Sequence, residues 1–223
     1  MLARKPSDFG EIYSAYAAGC LDPAFQLLVE TQAALRPDVR QAVAQAETIA
    51  GAFLEAEAAT AVSDGVLDQL LARIDGLDQT ATEHTRAAER AGDILDEILR
   101  LPAPLRDQAL EASMDRSWTK LAPGVSRLNL GVESSTEVEL YRIEPGRTLP
   151  RHSHRGNELT LVVAGGFEDG TGHFRAGDLS VKGPQDVHQP TADSDSICFA
   201  LAVRDAGLEF KGVFGLVQKM LRR

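Results

Sequence analysis

The chain has 223 residues, 25% of them charged and 43% apolar, a profile that suits a globular protein with room for two modest cores. Its net charge is −10, and residues 1–98 carry 7 Lys and Arg against 17 Asp and Glu while the remainder carries 16 of each sign. The acidic first part repels nucleic acid and can attract a basic partner. Two cysteines, Cys20 and Cys198, are too few for a disulfide framework. No apolar leader opens the chain, and no window approaches the run of about 18 apolar residues that a membrane span needs. The expectation is a cytoplasmic protein that touches neither membrane nor nucleic acid directly.

The first hundred residues read as helices. A helix around Glu11–Ala18 ends at Gly19. Asp22-Pro23 is a cap followed by a proline at the first helical position, ahead of a face built from Phe25, Leu28, Val29 and Leu35. Pro37 opens the next helix, with Val39, Val43, Ala46, Ala50 and Phe53 at helical spacing. Ser63 caps a shorter stretch whose stripe is Leu67, Leu70, Leu71 and Ile74. A further helix is predicted from Thr82 to Leu99, before Pro102 and Pro104 interrupt the chain. This divides the chain into a helical domain over 1–78, a helical linker or arm over 79–112, and a third unit over 113–223.

From Trp118 onward the period changes to that of strands. Val138 and Leu140 alternate with Glu137, Glu139 and Tyr141, and Leu159–Val163, Leu179–Val181 and Ile197–Val203 are further runs. Gly and Pro punctuate the gaps at Pro145-Gly146, Gly165-Gly166, Gly177 and Gly183-Pro184. Short strands with turns between them suggest a β-barrel or sandwich, and Gly212–Arg223 suggests a short closing helix.

Four of the five histidines fall within residues 152–188. On an extended strand His152 and His154 point to the same side, half of a metal site with little rearrangement. Glu158 comes after a bend, and His188 arrives on a separate strand after Gly183-Pro184. Three imidazoles and a carboxylate suit one divalent ion; zinc is placed first, with iron, manganese, nickel or copper as alternatives, because the ligand set alone does not select among them. His173 reads as a surface residue or one supporting a ligand, and Cys198 as core.

The spacing Gly146, His152, His154, Glu158, Gly165 resembles the first cupin motif, and Gly177 with His188 is similar to the second, although Gly183 and Gln185 replace its usual turn residues. The helical part, through Tyr16-Ala17-Ala18-Gly19 and the run from Thr31 to Arg40, resembles the anti-sigma domain of the ChrR family, whose cupin half is similar to residues 152–167 here. The fold implied is α+β, an N-terminal helical bundle followed by a C-terminal cupin (jelly-roll) β-barrel. The resemblance implies an anti-sigma regulator that sequesters an extracytoplasmic-function (ECF) sigma factor and responds to oxidative stress or a small molecule through its cupin. The family's structural zinc ligands fall on Gln32, Arg36 and Val39, and no histidine precedes residue 84, so apolar packing must stand in for that metal, with Asp38 or Glu30 available to pair Arg36. A metal-dependent cupin enzyme of the dioxygenase kind is the alternative. The regulator is preferred because it accounts for both halves, and no catalytic residue is assigned. Pairing of cupin sheets makes a homodimer the default expectation.

Overall fold

The computed structural model describes residues 9–77, 94–205 and 208–210. Helix α1 spans Gly10–Ala17, α2 Pro23–Leu35, α3 Pro37–Ala56, α4 Val66–Leu77 and α5 Ala103–Asp115, with a single helical turn at Leu95–Ile98. Asp22 caps α2, its carboxylate accepting from the Ala24 amide at 2.9 Å, and Pro23 occupies the first turn where its missing N–H costs nothing. Arg36 is extended ahead of Pro37, as a residue before proline prefers, and this makes the corner between α2 and α3.

The strands are β1 (Thr119–Ala122), β2 (Val125–Asn129), β3 (Glu137–Ile143), β4 (His152–His154), β5 (Glu158–Ala164) and β6 (Gly166–Glu168). They continue as β7 (His173–Arg175), β8 (Leu179–Lys182), β9 (Val187–His188), β10 (Thr191–Ala192), β11 (Cys198–Arg204) and β12 (Leu208–Phe210). A six-stranded antiparallel sheet runs β1-β2-β3-β11-β5-β8, and two three-stranded sheets, β10-β6-β7 and β12-β4-β9, complete the cupin.

Period-two alternation divides each long strand between two cores. Leu140 on β3, Leu161 and Val163 on β5, and Phe199, Leu201 and Val203 on β11 face outward into a cluster shared with the helices. Tyr141, Ile143, Val162, Cys198, Ala200 and Ala202 face the barrel interior with Phe167 and Phe174. The outward cluster takes in Tyr13, Leu28, Val29 and Val39 from the helical half, so α1, α2 and α3 share one core with the sheet. Helix α2 lies at its centre, anchored at its start by Ser134, which donates to Asp22 at 2.7 Å, and at its end by Gln32 and Arg36.

Three features go beyond the sequence reading. Pro102 and Pro104, read from sequence as interrupting the chain, begin a helix: α5 starts at once, runs to Asp115 and packs on α2 and β2. On β3, Glu139 and Tyr141 are buried although they alternate with apolar residues, because the inner face lines a polar interior. Among the described residues nothing covers the stripe on α4, where Leu67 is 66% exposed. Of the helix expected over Thr82–Leu99, residues 94–99 are described and only Leu95–Ile98 is helical there; the rest of it and the segment Gly212–Arg223 lie outside the described residues.

A shared core has a measurable consequence. Leu28→Ala should cost about 2–5 kcal/mol, the usual range for opening a cavity at a buried leucine. In urea unfolding, helical ellipticity and Trp118 fluorescence should move together to the lower midpoint. Separate midpoints for the two signals would show that the helices and the sheet unfold independently.

Candidate metal centre

β4 pairs with β9 so that His152 stands opposite His188 in register, and the two-residue spacing brings His154 to the same side as His152. Glu158 enters as the first residue of β5, opposite Arg204 on β11 and Lys182 on β8. One ligand atom from each of His152, His154, Glu158 and His188 falls within 4.8 Å of the others, and all four side chains are buried. The structure thus brings together the full set expected from sequence.

The ring nitrogens show what this cluster lacks. His152 Nδ1 lies 2.7 Å from the Pro150 carbonyl, which can only accept, so Nδ1 carries the proton and Nε2 bears a lone pair. His188 Nδ1 donates to Asp169 Oδ2 at 3.1 Å and leaves its Nε2 in the same state when the ring is neutral. Yet these two Nε2 atoms stand 2.9 Å apart, and His154 Nε2 is 3.1 Å from that of His188. His154 Nδ1 is buried without a hydrogen-bond partner, 3.6 Å from Glu158 Oε2. One proton relieves one of these contacts; a cation relieves them all. Nitrogens on one ion at 2.0–2.1 Å stand roughly 3.0–3.4 Å apart, so the spacing suits a cation, and the cluster can hold a metal ion.

The surroundings fix the ligands' charge and aim. Burial would raise the Glu158 carboxyl, but His154 and the Arg204 guanidinium outweigh it and hold the group below the usual range. Thr160 donates to Glu158 Oε1 at 2.8 Å. Burial would also raise Asp169, but hydrogen bonds from His188, Lys182 and Thr171 pull it well below an ordinary aspartate. Lys182 Nζ lies 2.8 Å from Asp169, which in turn orients His188, the outer support that a ligating imidazole needs. Beneath Glu158, Arg204 bonds Tyr141 at 2.9 Å and pairs closely with Glu139, and Arg127 reaches Glu139 at 2.7 Å. Beside the cluster lies a small pocket of about 20 Å³, partly open to solvent and walled by Ile143, Leu149, Phe167, Ala200 and Ala202.

Asp169, Lys182 and Arg204 escape the sequence reading. Arg204 carried a signal: the inward series Cys198, Ala200, Ala202 reaches it next. Asp169 sits at a glycine turn and reads there only as turn chemistry. His173 lies at the surface, 2.8 Å from Asp193. Cys198 is buried, and burial pushes its thiol up to about 12.

His152 is pushed down to about 4 from 6.5, first by burial and then by His188, and burial also lowers His154. Between those two values the unfolded chain binds protons that the folded chain refuses, so stability falls as pH drops through the window. The melting temperature of chelator-treated protein should therefore decrease steadily from pH 7 to pH 5. A flat or rising profile would contradict this account of the histidines.

The residue range 106–206 matches the family model described as the ChrR cupin-like domain. The chain is 34% identical over 212 residues, 95% of each chain, to the anti-sigma-E factor ChrR of Cereibacter sphaeroides. Among solved structures it is similar to the Rhodobacter sphaeroides anti-sigma ChrR in complex with SigE, with 32% identity, a TM-score of 0.66, and coverage of 88% of this chain and 96% of that one. Identity sustained along nearly the whole length, through helices and cupin alike, places this chain in the ChrR family of cupin-containing anti-sigma factors.

Proposed function

We propose that this chain is a cytoplasmic regulator that sequesters an ECF sigma factor through its helical half and holds one divalent metal, zinc first among the candidates, in its cupin as a sensor of an oxidant or small molecule. The observation that carries the partner reading is an apolar surface that no other described residue covers. Phe53 and Leu54 at the end of α3 are 74% and 76% exposed, and Leu67, Leu70, Leu71 and Ile74 on α4 are exposed beside acidic residues. Exposed apolar helix faces of this extent serve a partner, and the similar ChrR chain was solved in complex with SigE. The acidic balance of residues 1–98 suits a partner with basic faces.

His152, His154, Glu158 and His188 are the proposed ligands. Such an ion would neutralise the facing lone pairs and supply Lewis acidity beside the pocket. Around it, Asp169 fixes the His188 tautomer, Pro150 fixes that of His152, and Arg204 with Thr160 sets the Glu158 carboxylate. The apolar walls of the pocket limit the water that reaches these groups.

Two measurements test the reading. Phe53→Asp combined with Leu70→Asp should weaken capture of the cognate sigma factor by a hundredfold or more, on the order of two hot-spot residues lost. Its melting temperature should stay near wild type, because both side chains are exposed. Undiminished capture would move the partner surface elsewhere. Elemental analysis should find about one metal per chain. Asp169→Asn should weaken affinity about 10–100-fold, as loss of a ligand-orienting carboxylate does. Unchanged affinity would remove Asp169 from the support of the site.

A further inference from the structure

The last turn of α2 meets the cupin at one loop. Gln32 is buried, donating from Nε2 to the Gly177 carbonyl at 3.2 Å while its Oε1 takes the Tyr13 hydroxyl at 3.5 Å. Arg36 spans Asp38 at 2.6 Å and Asp178 at 3.2 Å. Gly177 has φ +88°, and a Cβ there would stand 2.6 Å from Arg36 Cγ, so the arginine stem lies directly on bare backbone.

This loop belongs to the β5/β8 ribbon. The Gly177 amide donates to the Val162 carbonyl at 2.8 Å, and the Val162 amide donates to that of Asp178 at 3.0 Å. Register then runs from Leu161 opposite Leu179 to Glu158 opposite Lys182. At that far end Glu158 is a proposed metal ligand and Lys182 holds Asp169, which orients His188. The ribbon is four residue pairs long, roughly 10 Å, with the metal cluster at one end and the helix corner at the other.

We propose that this ribbon is a latch: metal in the cupin fixes the β5/β8 register and thereby holds Gly177 and Asp178 against Gln32 and Arg36. The inference rests on the metal reading given above. Without the cation, three close imidazoles and the Glu158 carboxylate lose their common partner, and the strand ends that carry them relax. At the helix end the Arg36–Asp178 pair is part-exposed, worth little by itself and therefore poised to open. The apolar contacts of Leu28 and Val29 stay in place, which confines the change to the last turn of α2 and the corner with α3. That corner aims α3, whose far end carries Phe53 and Leu54.

The test uses the full-length chain, zinc-loaded or chelator-stripped, with metal content measured on the same samples. Hydrogen exchange is monitored in peptides covering residues 30–40. Stripping should accelerate exchange there about tenfold in wild type, a local opening well short of global unfolding. Arg36→Ala, checked for a wild-type circular dichroism spectrum, should exchange fast even when loaded and change by less than about twofold on stripping. If loaded and stripped wild type exchange alike although their metal contents differ, the latch is wrong and the metal site stands. If Arg36→Ala keeps the tenfold response, the signal bypasses this junction and the proposal fails. If loaded protein contains no metal, the reading beneath the proposal fails with it.

Discussion

One face of the six-stranded sheet is apolar along its centre, and the rest of the architecture is arranged by the need to cover it. Phe199, Leu201 and Val203 on β11 cannot face water together at tolerable cost; each buried side chain of this size is worth about 1.5–3 kcal/mol. Helices α2 and α5 provide the cover. A helical domain that resembles a separate module is thereby drawn into the cupin's own core. Val39, at a position where the family resemblance implies a zinc ligand, is fully buried in that core, and Arg36 pairs with Asp38. Burial shared with the sheet takes the place of a structural ion.

The inner face obeys a different rule. Charged groups cluster there in opposed sets: Arg204 against Glu139 and Glu158, and Lys182 against Asp169, which also meets His188. Breaking such a pair by removing one member leaves a stranded charge, which is far costlier than the pair is beneficial. Both charged sets adjoin the imidazole cluster, through Glu158 and through His188, and limit how far its side chains can rotate away. The neighbours therefore aim the ligands in advance, and an ion would add the relief of their facing lone pairs.

The four residues of the cluster were legible because their spacing is local. His152 and His154 sit two apart on one strand, and motif spacing supplies Glu158. Arg204 and Asp169 were hidden because their roles depend on which strands pair, β11 with β5 and β4 with β9, and pairing is a long-range fact. The helix from Ala103 was hidden for another reason: prolines end helices and begin them equally well, and only the packing of the residues beyond them separates the two outcomes. The α4 stripe shows the reverse limit. Helical spacing told correctly that Leu67, Leu70, Leu71 and Ile74 share a face, but spacing is silent on whether that face turns toward the chain's own core or toward another molecule.

Cys198 bears on how any oxidant is met. Its thiol is pushed up to about 12 by burial, so the nucleophilic thiolate is scarce at neutral pH. Sulfenic acid formation, the usual first step of thiol-based redox signalling, is disfavoured at this buried thiol. Among the described residues, the other cysteine, Cys20, is exposed just after α1 and remote from the histidine cluster in sequence. An oxidation event registered inside this barrel would fall on imidazole, on the Tyr141 phenol or on whatever occupies the pocket, and the thiol reductants that reset cysteine switches would not erase it.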